Sequence, residues 1–340
     1  MTPVPATKVH AMTRVDVIIP CYNYGAMLEA CVASVVSQEG VAVRAMIVDD
    51  ASTDSTEAIG RRLAAADPRV EYCRHEENWG HIPSYNEALS RVTADYCVIL
   101  SADDLLTPRS LMRVTRVMDA HPEVALAYGR DITFRHVPPA AGTFPTVSSH
   151  RIMHYAEFLR RSCAQGQTGI QAPTAVVRSS VHQRVGGYLP ELPHSGDTEI
   201  WLRLAAHGAV VELAADQAYR RLHDRNMSLT YSPLARLREQ RRAFDIHFDE
   251  YRGSRPEIAA ASPVLARTLA DSAFWSGVRA FEAGHETLCD EFHAYAIEMD
   301  ARIRSSRSWW RFQLKRRAGR AAARLIGPLA NRQRHATSDR

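Results

Sequence analysis

The residues of this chain best suited to chemistry are carboxylates in short clusters. Asp49-Asp50-Ala-Ser-Thr-Asp54 and Ser101-Ala-Asp103-Asp104 each set two acids side by side. Pro20-Cys-Tyr-Asn-Tyr24 gathers aromatic rings, and Asp197, Glu199 and His223 add acids and an imidazole further on. Neighbouring carboxylates raise each other's pKa unless a cation is present. A hard divalent ion resolves that conflict, and Mg²⁺ or Mn²⁺ characteristically bridges carboxylates to substrate phosphates. Taken singly, Asp49, Ser52, Thr53 and Asp103 suit turns and helix caps equally well. Neither G-x-x-x-x-G-K-[ST] nor a G-x-G-x-x-G after the first strand occurs, so phosphates would be held by metal and side chains rather than by a glycine cradle.

The elements that must position these residues alternate over the first 130 positions. Apolar runs at Val15–Ile19, Val43–Val48, Val70–Cys73, Tyr96–Leu100 and Val124–Tyr128 read as strands. Between them Met27–Gln38, Ser55–Ala66, Ser84–Arg91 and Pro108–Ala120 read as helices, the last with Thr107 as N-cap. Such alternation predicts an α/β fold with a mostly parallel sheet covered by helices, whose ligands bind beyond the carboxyl ends of the strands. The aromatic cluster and both acid pairs fall at such ends. From about Phe134 to Ser149 the chain is a Pro- and Ser-rich connection, residues 150–230 mix short helices with Gly186-Gly187 turns, and from Ser232 the pattern is helical with a break at Gly253–Pro256.

Val15-Asp-Val-Ile-Ile-Pro-Cys-Tyr-Asn-Tyr-Gly25, Ile47-Val-Asp-Asp-Ala-Ser-Thr-Asp54 and Leu100-Ser-Ala-Asp-Asp-Leu-Leu-Thr-Pro108 resemble, in order and spacing, the inverting family 2 glycosyltransferases of the GT-A fold. The resemblance covers roughly residues 14–230. It implies that Pro20, Tyr22 and Asp50 line a nucleobase site with Asp49 beside them, and that Asp103 and Asp104 supply ribose and metal contacts. Ser101 departs from the pattern, since many members carry another Asp there, which leaves open which carboxylate is the main metal ligand. In the family the segment Asn78-Trp-Gly-His-Ile-Pro-Ser-Tyr-Asn86 approaches the nucleotide. Asn78 and Gly80 suit a tight turn, Asn86 a cap or a donor contact, and His81 either a phosphate contact or solvent.

Val185-Gly-Gly-Tyr-Leu-Pro-Glu191 and His194-Ser-Gly-Asp197-Thr-Glu-Ile-Trp-Leu-Arg203 resemble the family's acceptor half, which places the catalytic base on Asp197. Physically Asp197 falls near a helix start, where backbone N–H groups and the helix dipole favour its ionised form. A helix cap is the alternative role, and Glu199 is the rival base. Trp201 and Leu202 read as core, and Arg203 as a partner for an acid. His223 resembles the imidazole that the family returns to diphosphate and metal, with Arg225 nearby to neutralise the leaving group.

The full chain has 340 residues, 46% hydrophobic and 24% charged, the balance of a globular protein with a catalytic-sized domain and an appendage. The expected organisation is a disordered N-terminus over 1–13, a catalytic domain over 14–230 with nucleotide-binding (14–130) and acceptor (131–230) halves, and a helical extension over 231–340. The overall charge of +4 conceals an asymmetry: residues 301–340 hold twelve Lys/Arg and one acid, leaving the first 300 at −7. On a helical wheel of 309–326, Gln313, Arg316, Arg317, Arg320 and Arg324 oppose Leu314, Ala318, Ala321, Leu325 and Ile326. That pattern suits an anionic membrane surface or a helix docked on the acidic body. Six cysteines without a C-x-x-C pair, no apolar signal core and no long apolar run make a cytoplasmic protein the expectation, peripheral on the inner membrane face, without nucleic acid as a partner. The expected activity is transfer of a sugar from a nucleoside-diphosphate donor, a UDP-sugar first, to an acceptor hydroxyl of a glycan or lipid-linked intermediate, using Mn²⁺ or Mg²⁺. The rivals are a nucleotidyltransferase of related fold, which would need a Gly/Lys/Arg-rich loop where Pro20-Cys-Tyr-Asn stands, and an inactive membrane-associated scaffold, which the intact acids disfavour.

Overall fold

The computed structural model describes residues 12–139, 149–224, 226 and 231–325. Its first half follows the expected alternation: β1 (Arg14–Cys21), α1 (Gly25–Val36), β2 (Ala42–Asp49), α2 (Thr56–Ala66), β3 (Val70–Arg74), α3 (His81–Ser90) and β4 (Tyr96–Ile99). Pairing is parallel in the order β3-β2-β1-β4. β1 is buried on both faces, so its apolar run is nearly continuous: Val15, Val17 and Ile19 enter one core and Ile18 the other. Its single interior acid, Asp16, is held by Arg44 at 2.9 and 2.6 Å and by the N–H groups of Thr93 and Ala94.

The sheet then gains strands in both directions. Among the described residues, the chain continues through β5 (Leu105–Leu106), α4 (Ser110–Ala120), β6 (Val124–Phe134), β7 (His150–Met153), α5 (Tyr155–Gln165), β8 (Val176–Arg178), α6 (Ser179–Val185), α7 (Gly196–His207) and β9 (Ala209–Arg221). β8 bridges β4 and β6 antiparallel to both, β9 lies parallel to β6, and β5 and β7 pair antiparallel with β9. The α/β architecture of GT-A type is thus present, with the parallel order confined to the first four strands and the β6–β9 pair. α4 starts later than the sequence suggests. Arg109 adopts a left-handed conformation (φ 59°) before Ser110, and the Thr107 hydroxyl donates to the Asp216 carbonyl at 2.8 Å instead of capping the helix.

The helical region comprises α8 (Pro233–Tyr251), α9 (Glu257–Ala283), α10 (Glu286–Met299) and α11 (Arg307–Leu325), with the expected break between α8 and α9. The core does not stop at residue 230. Phe244, Phe248, Ile258, Leu265 and Leu269 share one cluster with Tyr155, Phe158, Trp201 and Leu202.

α11 corrects the expected division of its faces. Trp309 and Phe312 are buried against Phe274, Phe281 and Phe292, and Lys315 is buried with its Nζ 2.7 Å from Glu282. Arg316 pairs with Asp290, whereas Leu314 is 65% exposed and Trp310 62% exposed. The helix therefore docks through a Trp309–Phe312–Lys315 stripe, because the i, i+3 aromatic pair outweighs the weaker Leu/Ala pattern. The side chains of Arg320, Ala321, Arg324 and Leu325, and Ile326 altogether, lie outside the described residues, as does the expected disordered N-terminus up to residue 11.

Candidate active site

Two strand-end loops are tied together before they present anything to a ligand. Asn23 (φ 59°) accepts the Thr53 N–H at 2.8 Å, its own N–H donates to Ser52 at 2.9 Å, and the Gly25 N–H donates to Asp54 at 3.0 Å. The result is a rigid wall from which Pro20, Cys21, Tyr22, Tyr24 and Asp50 line a cleft of about 520 Å³. Ser101, Asp103, Asp104, Arg220 and Asn226 form another part of its lining, and Asn78, Gly80, Tyr85 and Asp197 also line it.

The two acids ending β2 separate completely. Asp50 reaches the cleft and gathers the 75–80 loop: its carboxylate lies 2.8 Å from His75 Nδ1 and accepts the N–H groups of Trp79 (2.8 Å) and Gly80 (2.9 Å). Asn78 adds a bond from its side chain to the Asp50 carbonyl at 3.2 Å. Asp49 points away. It is fully buried, accepting from the Ser52 N–H at 2.9 Å, the Tyr72 hydroxyl at 2.5 Å and Arg74 at 2.7 Å. Burial alone would raise its pKa, but those bonds outweigh it and hold the carboxyl below the ordinary aspartate value. Asp49 thus supports the wall and is not among the residues lining the cleft, a correction to its expected place beside the base.

Asp103 and His223 do meet. Their Oδ2 and Nε2 atoms are 2.9 Å apart, and the His223 ring sits 5.6 Å from that of Tyr24. Asp104 turns elsewhere and accepts the Arg221 N–H at 2.8 Å; burial, and then the charge of Asp103, push its pKa up. The expected trio of ligands, Asp103, Asp104 and His223, therefore does not converge, and among the described residues no three His, Cys, Asp or Glu side chains gather as a metal site. What fits a divalent ion is narrower: Asp103 Oδ1 is buried beside the cleft without a hydrogen-bond partner among the described residues. One or two protein ligands plus phosphate oxygens is the usual share for Mg²⁺. Arg225 lies outside the described residues. The guanidinium that lines the cleft is Arg220, held by Asp131 at 2.7 Å.

The second half contributes Asp197, in the first turn of α7. Its Oδ1 accepts the Tyr188 hydroxyl at 3.0 Å. Burial raises its pKa against the opposing effects of Tyr188 and His81, so the helix start does not dominate as the sequence suggested. A carboxylate of raised pKa is a stronger proton acceptor. Glu199 is fully buried and bound to Arg203 at 2.9 and 2.6 Å, which removes it from the cleft and accounts for Arg203. Trp201 and Leu202 are core, as expected. Asn86 serves the fold rather than a ligand: it brackets Tyr188 with bonds to its N–H (2.7 Å) and carbonyl (2.8 Å), and a side chain at Gly187 would collide with it. His81 lies 2.6 Å from the Pro193 carbonyl while lining the cleft.

Sequence reasoning missed His75, Tyr85, Gln171 and Arg220, although Tyr85 lies inside the Asn78–Asn86 segment. It also missed Glu239 of α8. This buried carboxylate accepts the N–H groups of His194 (2.6 Å) and Ser195 (2.8 Å) and the Tyr231 hydroxyl (2.5 Å), at the entrance to α7.

The Glycosyl transferase family 2 model matches residues 16–186, half of the chain. The protein belongs to that family. Among its relatives, the putative glycosyltransferase EpsE of Bacillus subtilis is 27% identical over 57% of this chain and 68% of its own. Chondroitin synthase of Pasteurella multocida is 24% identical over 67% of this chain but only 23% of its own. S. aureus TarS 1–349, solved in complex with UDP-GlcNAc, shares the fold with a TM-score of 0.63 at 18% identity, covering 84% of this chain and 80% of that one. No helix among the described residues is long and apolar enough to cross a membrane.

Proposed function

We propose that this family 2 glycosyltransferase moves a sugar from a nucleoside-diphosphate donor, a UDP-sugar first, onto an acceptor hydroxyl with inversion, in the assembly of a cell-surface glycan. The observation that carries the reading is the meeting in one cleft of a wall suited to a nucleobase (Tyr22, Asp50), an acid backed by an imidazole outside the lining (Asp103, held by His223) and a carboxylate of raised pKa (Asp197). Names of relatives support it: TarS is described with UDP-GlcNAc, and chondroitin synthase is named for a glycan product. Tyr22, 47% exposed, offers its ring to the base beside Pro20, and Arg220 faces the diphosphate. Asp197 takes the proton of the acceptor hydroxyl as that oxygen bonds to the anomeric carbon and the bond to the diphosphate breaks on the opposite face. A divalent ion on Asp103 Oδ1, with His223 as neighbour, would supply charge stabilisation for the leaving diphosphate.

The test is thermal stabilisation by UDP with Mn²⁺, with Mg²⁺ and with EDTA, for wild type and Asp103→Asn. Stabilisation should need the ion and Asp103; equal stabilisation in EDTA would remove the metal from the mechanism. We further propose that the exposed stripe of Arg307, Trp310, Arg311, Leu314 and Arg317 on α11 rests on an anionic membrane surface, near the lipid-linked acceptors such an enzyme would use.

A further inference from the structure

A second cavity, of about 360 Å³, is also lined by Asp197. It shares His81, Tyr85, Gln171 and Asp197 with the first, but none of Asp50, Asp103, Asp104 or Arg220. Its walls are aromatic. Tyr85 and Tyr188 meet edge to face at 5.5 Å, and the His194 and Tyr231 rings lie 3.8 Å apart. Its polar groups include three side-chain amides, Gln167, Gln171 and Gln240, beside Thr198, the His194 imidazole and one guanidinium, Arg236. Gln240 stands on α8 and donates to the Thr198 hydroxyl at 2.8 Å, which leaves its carbonyl oxygen as an acceptor.

We infer that this cavity holds the terminal glycosyl unit of the acceptor, and that α8 is part of what selects it. The inference rests on the glycosyltransferase reading above and deepens it. Three features point to a sugar. A ring face needs an aromatic wall to lie against, and tyrosines with a polar tip supply it. Hydroxyls both donate and accept, and side-chain amides match both roles without a net charge. The only carboxylate among the lining residues is Asp197, common to both cavities, so a hydroxyl presented from this side meets the group that would take its proton.

The experiment is saturation-transfer NMR on the full chain with UDP and Mn²⁺ present. The probes are methyl α- and β-glycosides of glucose, galactose, mannose and N-acetylglucosamine. Wild type is compared with Gln240→Ala, with Gln167→Ala (an exposed side chain whose loss does not threaten folding) and with Asp103→Asn. At least one glycoside should bind, and its affinity should fall about tenfold in each Gln variant, equivalent to about 1.4 kcal/mol. UDP affinity, read by calorimetry, should be unchanged in both. In Asp103→Asn, UDP binding should weaken while the glycoside signal persists. Binding by no glycoside of the panel, or undiminished binding in Gln167→Ala and Gln240→Ala, overturns the inference. Loss of UDP binding in wild type would instead strike the donor reading, while the glycoside signal still reports on this cavity.

Discussion

Glu239 lies outside the family match and 42 positions beyond Asp197, yet it holds the entrance to the helix that carries Asp197. Replacing it with Gln keeps the shape and removes the charge. Three hydrogen bonds end on this carboxylate. Bonds to a charged group contribute about 1.5–3 kcal/mol and neutral ones about 0.5–1.5, so each loses about 1 kcal/mol, or about 3 kcal/mol together. The α7 dipole adds to the loss, because the carboxylate sits at its positive end. At about 2 °C per kcal/mol for a chain of this size, Tm should fall by about 6 °C. The catalytic effect should be separable from the thermal one. Misplacing a reacting group by about 1 Å can cost 10²-fold, so transfer at 25 °C should drop by about tenfold or more. UDP affinity should hold, because the donor wall is built from other elements. Tyr231→Phe removes one of the three bonds, and combining it with Glu239→Gln should give less than the sum, since the two share a partner. A Glu239→Gln protein that melts within 1 °C of wild type and transfers at the wild-type rate would refute the reasoning.

Asp197→Asn should leave nucleotide binding intact and slow transfer by about 10²–10⁴-fold, the usual contribution of a general base. Because burial raises the Asp197 pKa and only the ionised form accepts a proton, the acid limb of the wild-type rate profile should lie above the ordinary aspartate range. Phe312→Ala should destabilise by about 3–5 kcal/mol in urea unfolding, whereas Trp310→Ala with Leu314→Ala should leave stability within about 0.5 kcal/mol but release the protein from anionic vesicles in co-sedimentation; the opposite pattern would restore the face read from the sequence. Burial lowers the pKa of His182 to about 4, of His247 to about 3 and of His293 to about 4, from 6.5. Their contribution is therefore complete above pH 6.5 and is lost as pH falls. Between pH 7 and 5 the unfolding free energy should drop by about 2 kcal/mol per histidine, and a flat urea midpoint over that range would show them exposed.

The motifs at the ends of β1, β2 and β4 were legible because each follows a buried apolar run, and a strand end in such a sheet faces the ligand side. Which of two adjacent acids faces the ligand was not legible. Asp49 and Asp50 differ in sequence by one position, but Tyr72 and Arg74, brought alongside by the β2–β3 register, claim the first. β9 was hidden because Asp216, Gln217, Arg220 and Arg221 interrupt its alternation, and its pairing with β6, rather than local propensity, makes it a strand. Thr107 looked like a cap until Asp216 of that strand took its hydroxyl. Glu239 gave no signal of its role, since the two backbone N–H groups it accepts lie more than forty residues away and only the Tyr231 hydroxyl is near in sequence.

That Asp197 lines both cavities bears on how such enzymes diverge. On the proposed assignment, the sugar is delivered from a wall made by residues 20–24, 50, 78–80 and 103, and received on a wall completed by α8. The matched family region ends at residue 186, before either Asp197 or α8. Substitutions in α8 can therefore retarget the product while the delivery machinery stays under constraint. A recombination that exchanges everything after residue 186 would import a new base together with the helix that holds it, whereas a junction at residue 230 would part Asp197 from Glu239 and hand the base to a foreign support.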